Sequence, residues 1–97
     1  MKFEVKMPIH LIVEADEDKI TISRRRALDD EDFEPTTIDM NKVVEVSFAQ
    51  AGSLAPGHMK FEYKKLTPLT NKFNFTEEDN EDMIELKEYV EKLIENR

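Results

Sequence analysis

Three consecutive guanidinium groups, Arg24-Arg25-Arg26, form the one concentrated basic site in the chain. Guanidinium forks suit two-point recognition of phosphate or carboxylate, so this run, with Lys64 and Lys65, is a candidate anion- or partner-binding site. Asp29, Asp30, Glu31 and Asp32 follow closely, and they favour a plainer reading, a solvated strand end neutralised by its neighbours. His10 and His58 are the only histidines, and neither stands at the helical spacing from a second ligand that a metal site uses. Both alternate with apolar neighbours and are expected to face solvent. Cysteine is absent, which removes disulfides, thiolate metal sites and thiol nucleophiles together. Two glycines cannot build a phosphate-cradling loop or a nucleophile elbow. Asp79-Asn80-Glu81-Asp82 lacks the glycine and distal glutamate of a calcium loop. The expectation is a protein that is not an enzyme and holds no cofactor or metal.

Charge narrows the partners. The 97 residues carry a net charge of -8, and it is uneven. Residues 76–97 hold nine acids against Lys87, Lys92 and Arg97, a net of -6. Phosphate backbones and anionic bilayers are repelled by such a surface, so nucleic acid and membrane are poor partners and a basic or neutral protein is the better one. Lys60-Phe61-Glu62-Tyr63-Lys64-Lys65 interleaves bases with aromatics, as nucleic-acid binders do, but the acidic C-terminal segment opposes that reading. The apolar runs are far shorter than the roughly 20 residues of a membrane span. Met1 to Met7 alternates polar with apolar residues and has no uninterrupted apolar core of a secretory signal, so a cytoplasmic location is expected.

The elements follow from periodicity. Phe3, Val5 and Met7 alternate with charged residues, the period of a half-buried strand, and Ile9, Leu11 and Val13 alternate with His10, Ile12 and Glu14. Pro8 cannot donate to a ladder and marks an edge, bulge or break. Asp16-Glu17-Asp18 reads as the acidic tip of a hairpin that continues through Ile20 and Ile22. Residues 24–35 read as a charged loop and Thr36-Thr37-Ile38-Asp39-Met40 as a short strand. Val44, Val46 and Phe48 share one face of the next strand. Residues 51–57 contain both glycines and form the strongest loop signal, and residues 66–71 form a second loop. Met59, Phe61 and Tyr63, then Phe73 and Phe75, complete the strand series. Thr76 and Asp79 have capping-box spacing, and Met83, Leu86, Val90, Leu93 and Ile94 mark one stripe of a helix over about 77–95. The predicted core is Phe3, Val5, Leu11, Val13, Ile20, Ile22, Val44, Val46, Phe48, Phe61, Phe73 and Phe75 with the helix stripe. Ile84, Tyr89, Leu54 and Leu69 are apolar residues that periodicity does not place inside, and they are candidate protein-interaction residues. An edge strand near Pro8 or Ile38 is also suited to taking a peptide as an added strand.

One domain over residues 1–97 is expected, mainly β, with six or seven strands over about 2–75 and one C-terminal helix. The opening hairpin ending in Ile20-Thr21-Ile22-Ser23-Arg24, the Thr37-Ile38-Asp39-Met40 strand, Val43-Val44-Glu45-Val46-Ser47-Phe48-Ala49, Gly57-His58-Met59-Lys60-Phe61, Phe73-Asn74-Phe75 and the terminal amphipathic helix follow one another along the whole chain. This order resembles the small bacterial pleckstrin-homology-like (PH-like) domains, including stand-alone ones from bacteria and phages. The resemblance implies a strongly bent, partly open antiparallel barrel capped by the helix, and a non-catalytic binding platform. Lipid-binding members of the wider superfamily use a basic first hairpin loop, where this chain has Asp16-Glu17-Asp18. The expected function is therefore an interaction module for a protein or peptide, self-association included. The alternative is a peripheral binder of anionic lipid headgroups through Arg24, Arg25 and Arg26.

Overall fold

The computed structural model describes residues 1–7, 9–25, 33–63 and 71–96, with backbone alone at Arg25, Phe33 and Glu34. Four consecutive strands, β1 (Lys2–Val5), β2 (Leu11–Ala15), β3 (Lys19–Arg25) and β4 (Phe33–Asp39), make an antiparallel sheet in chain order. Three more, β5 (Val43–Ala49), β6 (Gly57–Tyr63) and β7 (Lys72–Phe75), make a second antiparallel sheet, again in chain order. A short 3-10 turn at Met40–Lys42 carries the chain between them, and Asp39 Oδ1 accepts the Asn41 N–H within it. A second 3-10 turn, Glu77–Asp79, leads into α1 (Asn80–Glu95). The described strands do not close into a barrel.

Alternation sets the faces of the first sheet. Leu11, Val13 and Ala15 of β2, Ile20 and Ile22 of β3 and Ile38 of β4 are buried, with Val5 of β1 beside them. The β2–β3 turn is fixed by Asp16, whose Oδ1 accepts the N–H groups of Asp18 and Lys19. Those bonds favour the ionised form and hold the Asp16 carboxyl below its usual range. From the second sheet come Met59, Phe61, Phe73 and Phe75, and from α1 come Met83, Leu86 and Val90. Phe48 and Phe75 stack at 5.8 Å between centroids, and Phe73 is tilted against both Phe61 and Phe75. Leu93, Ile94 and Tyr89 pack against this core from the helix side.

Several expectations need correction. Val44 is not in the core. The β5–β6 register slips between Val43 and Glu45, so Val44 is an extra residue, and Val43 points inward in its place, while Val46 is buried as expected. The strand β1 stops at Val5, and Met7 and Ile9 are exposed in the connection to β2. Phe3 is half-buried and packs against the core. The segment read as a charged loop over 24–35 contributes residues to strands at both ends. Arg24 pairs with Glu34 and Ser23 with Pro35, and Pro35 is accommodated because β4 is an edge strand. No capping box forms, since neither Thr76 nor Asp79 makes a side-chain cap bond. Pro8 and most of the 66–71 loop lie outside the described residues. Among the described residues, no helix is long and apolar enough to cross a membrane.

Candidate interaction surface along β5 and the terminal helix

The helix and β5 run alongside one another in opposite directions. At the start of α1, Asn80 Oδ1 accepts the Ala51 N–H and Asn80 Nδ2 donates to the Ala51 carbonyl, both at 2.9 Å. One side chain thus satisfies both backbone groups of Ala51, as a neighbouring strand would. Two turns on, Lys87 Nζ lies 5.9 Å from the Phe48 ring centroid and pairs with Glu91 at 2.9 Å. Further on, Glu91, Ile94 and Glu95 face Val44, Glu45 and Val46 across a groove of about 290 Å³. Residues 80, 84, 87, 91 and 94 are one helical stripe by spacing, so half-buried Ile84 lies between the Asn80 and Lys87 contacts with β5 and its loop.

The groove at the far end of this seam has three distinctive properties. β5 is one of the two outer strands of its sheet. Its bulge leaves Val44 46% exposed, an apolar side chain on the groove wall. All the charged groups lining the groove are carboxylates, Glu45, Glu91 and Glu95, and Glu45 also stands opposite Glu62 in the β5–β6 register. Like charges directly opposed across a strand pair are unfavourable.

At the near end, the β5–β6 loop is tied down by the Asn80–Ala51 pair and by Gly52 N–H donating to the Ala55 carbonyl. Leu54 at its tip is 99% exposed. A second groove, about 540 Å³, lies between Gly52–Pro56 and Thr76–Glu78. Beside it, burial and the neighbouring carboxylates Asp82 and Glu78 push the Asp79 carboxyl above its usual range.

Of the residues singled out from sequence, Leu54 and Ile84 fall at or beside this seam, and Tyr89 packs against the core from the helix. Leu69, Arg26, Lys64 and Lys65 lie outside the described residues, as does the side chain of Arg25. Arg24 turns inward. Its Nη2 donates to the Lys72 carbonyl at 2.6 Å, bridging from β3 to β7, and burial lowers its pKa. His10 Nε2 lies 2.8 Å from Glu4 Oε2, and this bond is the main cause that holds the Glu4 carboxyl below its usual range. His58 pairs in register with Asn74 on β7. No three His, Cys, Asp or Glu residues among those described are grouped to hold a metal ion. Asn80 and the Glu45–Glu91–Glu95 rim were not singled out from sequence, because their role depends on how α1 lies against β5.

No family model, no curated protein and no solved structure matches the chain.

Proposed function

We propose that this protein is a non-catalytic interaction module with a PH-like fold, and that it takes an extended segment of a protein partner along β5. The fold reading is supported by the order of a four-strand meander, a three-strand meander and a terminal helix against the second sheet. The observation that carries the binding reading is the groove beside β5. β5 is at an edge of its sheet, the position at which a strand can be added, and Val44 and Ile94 give such a strand an apolar footing. Glu45 and Glu95, with Glu91 already paired to Lys87, favour a segment with lysine or arginine beside its apolar residues.

The headgroup reading has less support. Arg24 is engaged with the Lys72 carbonyl, and the hairpin tip is acidic. A selection of random peptides displayed on phage, followed by amide chemical-shift mapping, tests the proposal. The expected winners combine β-branched with basic residues, shift the amides from Val44 to Phe48, and lose binding to the Val44→Lys variant. Winners that shift only other amides, or a selection that returns nothing above background from folded bait, would sink it.

A further inference from the structure

We infer that the groove between the β5–β6 loop and the start of α1 is a second docking surface, and that its occupant is a protein segment presenting one apolar side chain flanked by lysine or arginine. This surface is separate from the groove beside β5, which lies near the opposite end of the helix.

The loop wall supplies the apolar contact. Leu54, Ala55 and Pro56 are all exposed, and Leu54 is almost wholly surrounded by solvent. A leucine on a loose loop would mean little, since single exposed apolar residues are common. This loop is held at both of its ends. Ala51 is clamped through both backbone groups by Asn80, and Gly57 is locked into β6 opposite Phe75. The Gly52–Ala55 hydrogen bond tightens the turn between them. The leucine is therefore presented from a preformed backbone, and ordering it on binding costs little.

The opposite wall decides the sign of the occupant. Glu77 and Glu78 line the groove, no base does, and Glu81 and Asp82 are exposed on the next turn of α1. The helix dipole contributes only about half a positive charge at this end, which these carboxylates outweigh. A second copy of the chain is disfavoured for the same reason. A twofold contact would set Glu77 and Glu78 against their own counterparts. Anionic lipid and nucleic acid meet the same repulsion. A cationic segment with an apolar centre complements both walls.

The test uses the intact chain, labelled with nitrogen-15, and a blocked pentapeptide of sequence Lys-Lys-Leu-Lys-Lys. Saturable shifts are expected at the amides of Gly52, Ser53, Leu54, Ala55 and Thr76 to Glu78. Replacing the peptide's lysines by glutamate, or its leucine by glycine, is expected to weaken binding at those amides by about tenfold or more. Leu54→Asp does the same, and the unchanged remainder of its spectrum shows that the fold is intact. The double variant Glu77→Gln, Glu78→Gln loses the preference for the lysine peptide over the glutamate peptide. The inference is overturned by absence of shifts at these amides, by equal binding of the glutamate peptide, or by a concentration-dependent dimer in sedimentation that Leu54→Asp abolishes. Shifts at Val44 to Phe48 report on the groove beside β5 and are scored apart.

Discussion

At the scale of single residues, the least replaceable position is Gly57. It opens β6 and pairs with Phe75, and a Cβ there would stand 2.6 Å from the Ala49 carbonyl oxygen and 2.7 Å from the Ala51 nitrogen. Both are backbone atoms, so the clash cannot be relieved by turning a side chain. Gly57→Ala is expected to cost about 1–3 kcal/mol, read as a lower denaturant midpoint at unchanged slope. In the sequence Gly57 reads as the end of a loop and the opening of the 57–61 segment, and the close approach of the 49–51 backbone and the Phe75 ring has no local signature. Asp79 makes the opposite case. Its folded-state pKa lies above the ordinary 3.8, because burial and the carboxylates of Asp82 and Glu78 disfavour the charge. Folding therefore bears a cost from this group at neutral pH. That cost lifts as pH falls through the raised pKa toward 3.8. Asp79→Asn is expected to be more stable than the parent at pH 7, and the difference should vanish below the ordinary carboxylate range. Denaturation of both proteins at pH 7 and in acid checks it, and an advantage that persists in acid would remove the charge explanation.

At the scale of elements, the helix is fastened to the second sheet by a mixture of legible and illegible contacts. The buried positions Met83, Leu86 and Val90 follow directly from helical spacing. The Asn80–Ala51 pair does not, since it needs the loop and the helix start brought together across 29 positions. Asn80→Leu removes two hydrogen bonds and leaves the Ala51 groups without them, at an expected cost of about 2 kcal/mol. Hydrogen exchange at the Ala51 amide should quicken by a matching factor, while the amides of β2 and β3 keep their protection relative to global unfolding. Retained protection at Ala51 would show that the clamp does not hold the loop. Most strands are also legible, because one buried face gives them a period of two. The alternation misleads at the start of β5, where the bulge turns Val44 outward and Val43 inward, while Val46 and Phe48 keep the core face that alternation gives them. It also misses the start of β4, where a proline and acids are tolerated because the strand is at an edge. The groove beside β5 was hidden for the same reason, as its wall is the residue the bulge turned outward.

At the scale of the molecule, the two sheets are joined through the core and, at its exposed margin, by a charged hydrogen bond from β3 to β7. Arg24 Nη2 reaches the Lys72 carbonyl from 48 positions away. Hydrogen bonds from charged donors contribute more than neutral ones, and Arg24→Gln is expected to cost about 1.5–3 kcal/mol, seen as a lower midpoint in denaturant. A variant as stable as the parent would show that packing alone holds the sheets together. The sequence marked Arg24 as basic but gave no sign that it would turn inward, since its partner is a backbone carbonyl, which any residue supplies. The chain-order arrangement of both sheets also bears on how the molecule assembles. Within each sheet every strand pairs with its neighbours along the chain, so the pairings are local in sequence and each meander can form early and fast. The Arg24 and Asn80 contacts span long separations and are expected to form after the barrier is crossed. Removing either should then leave the refolding rate nearly unchanged and speed unfolding, so that these two side chains govern the lifetime of the folded state more than the time taken to reach it.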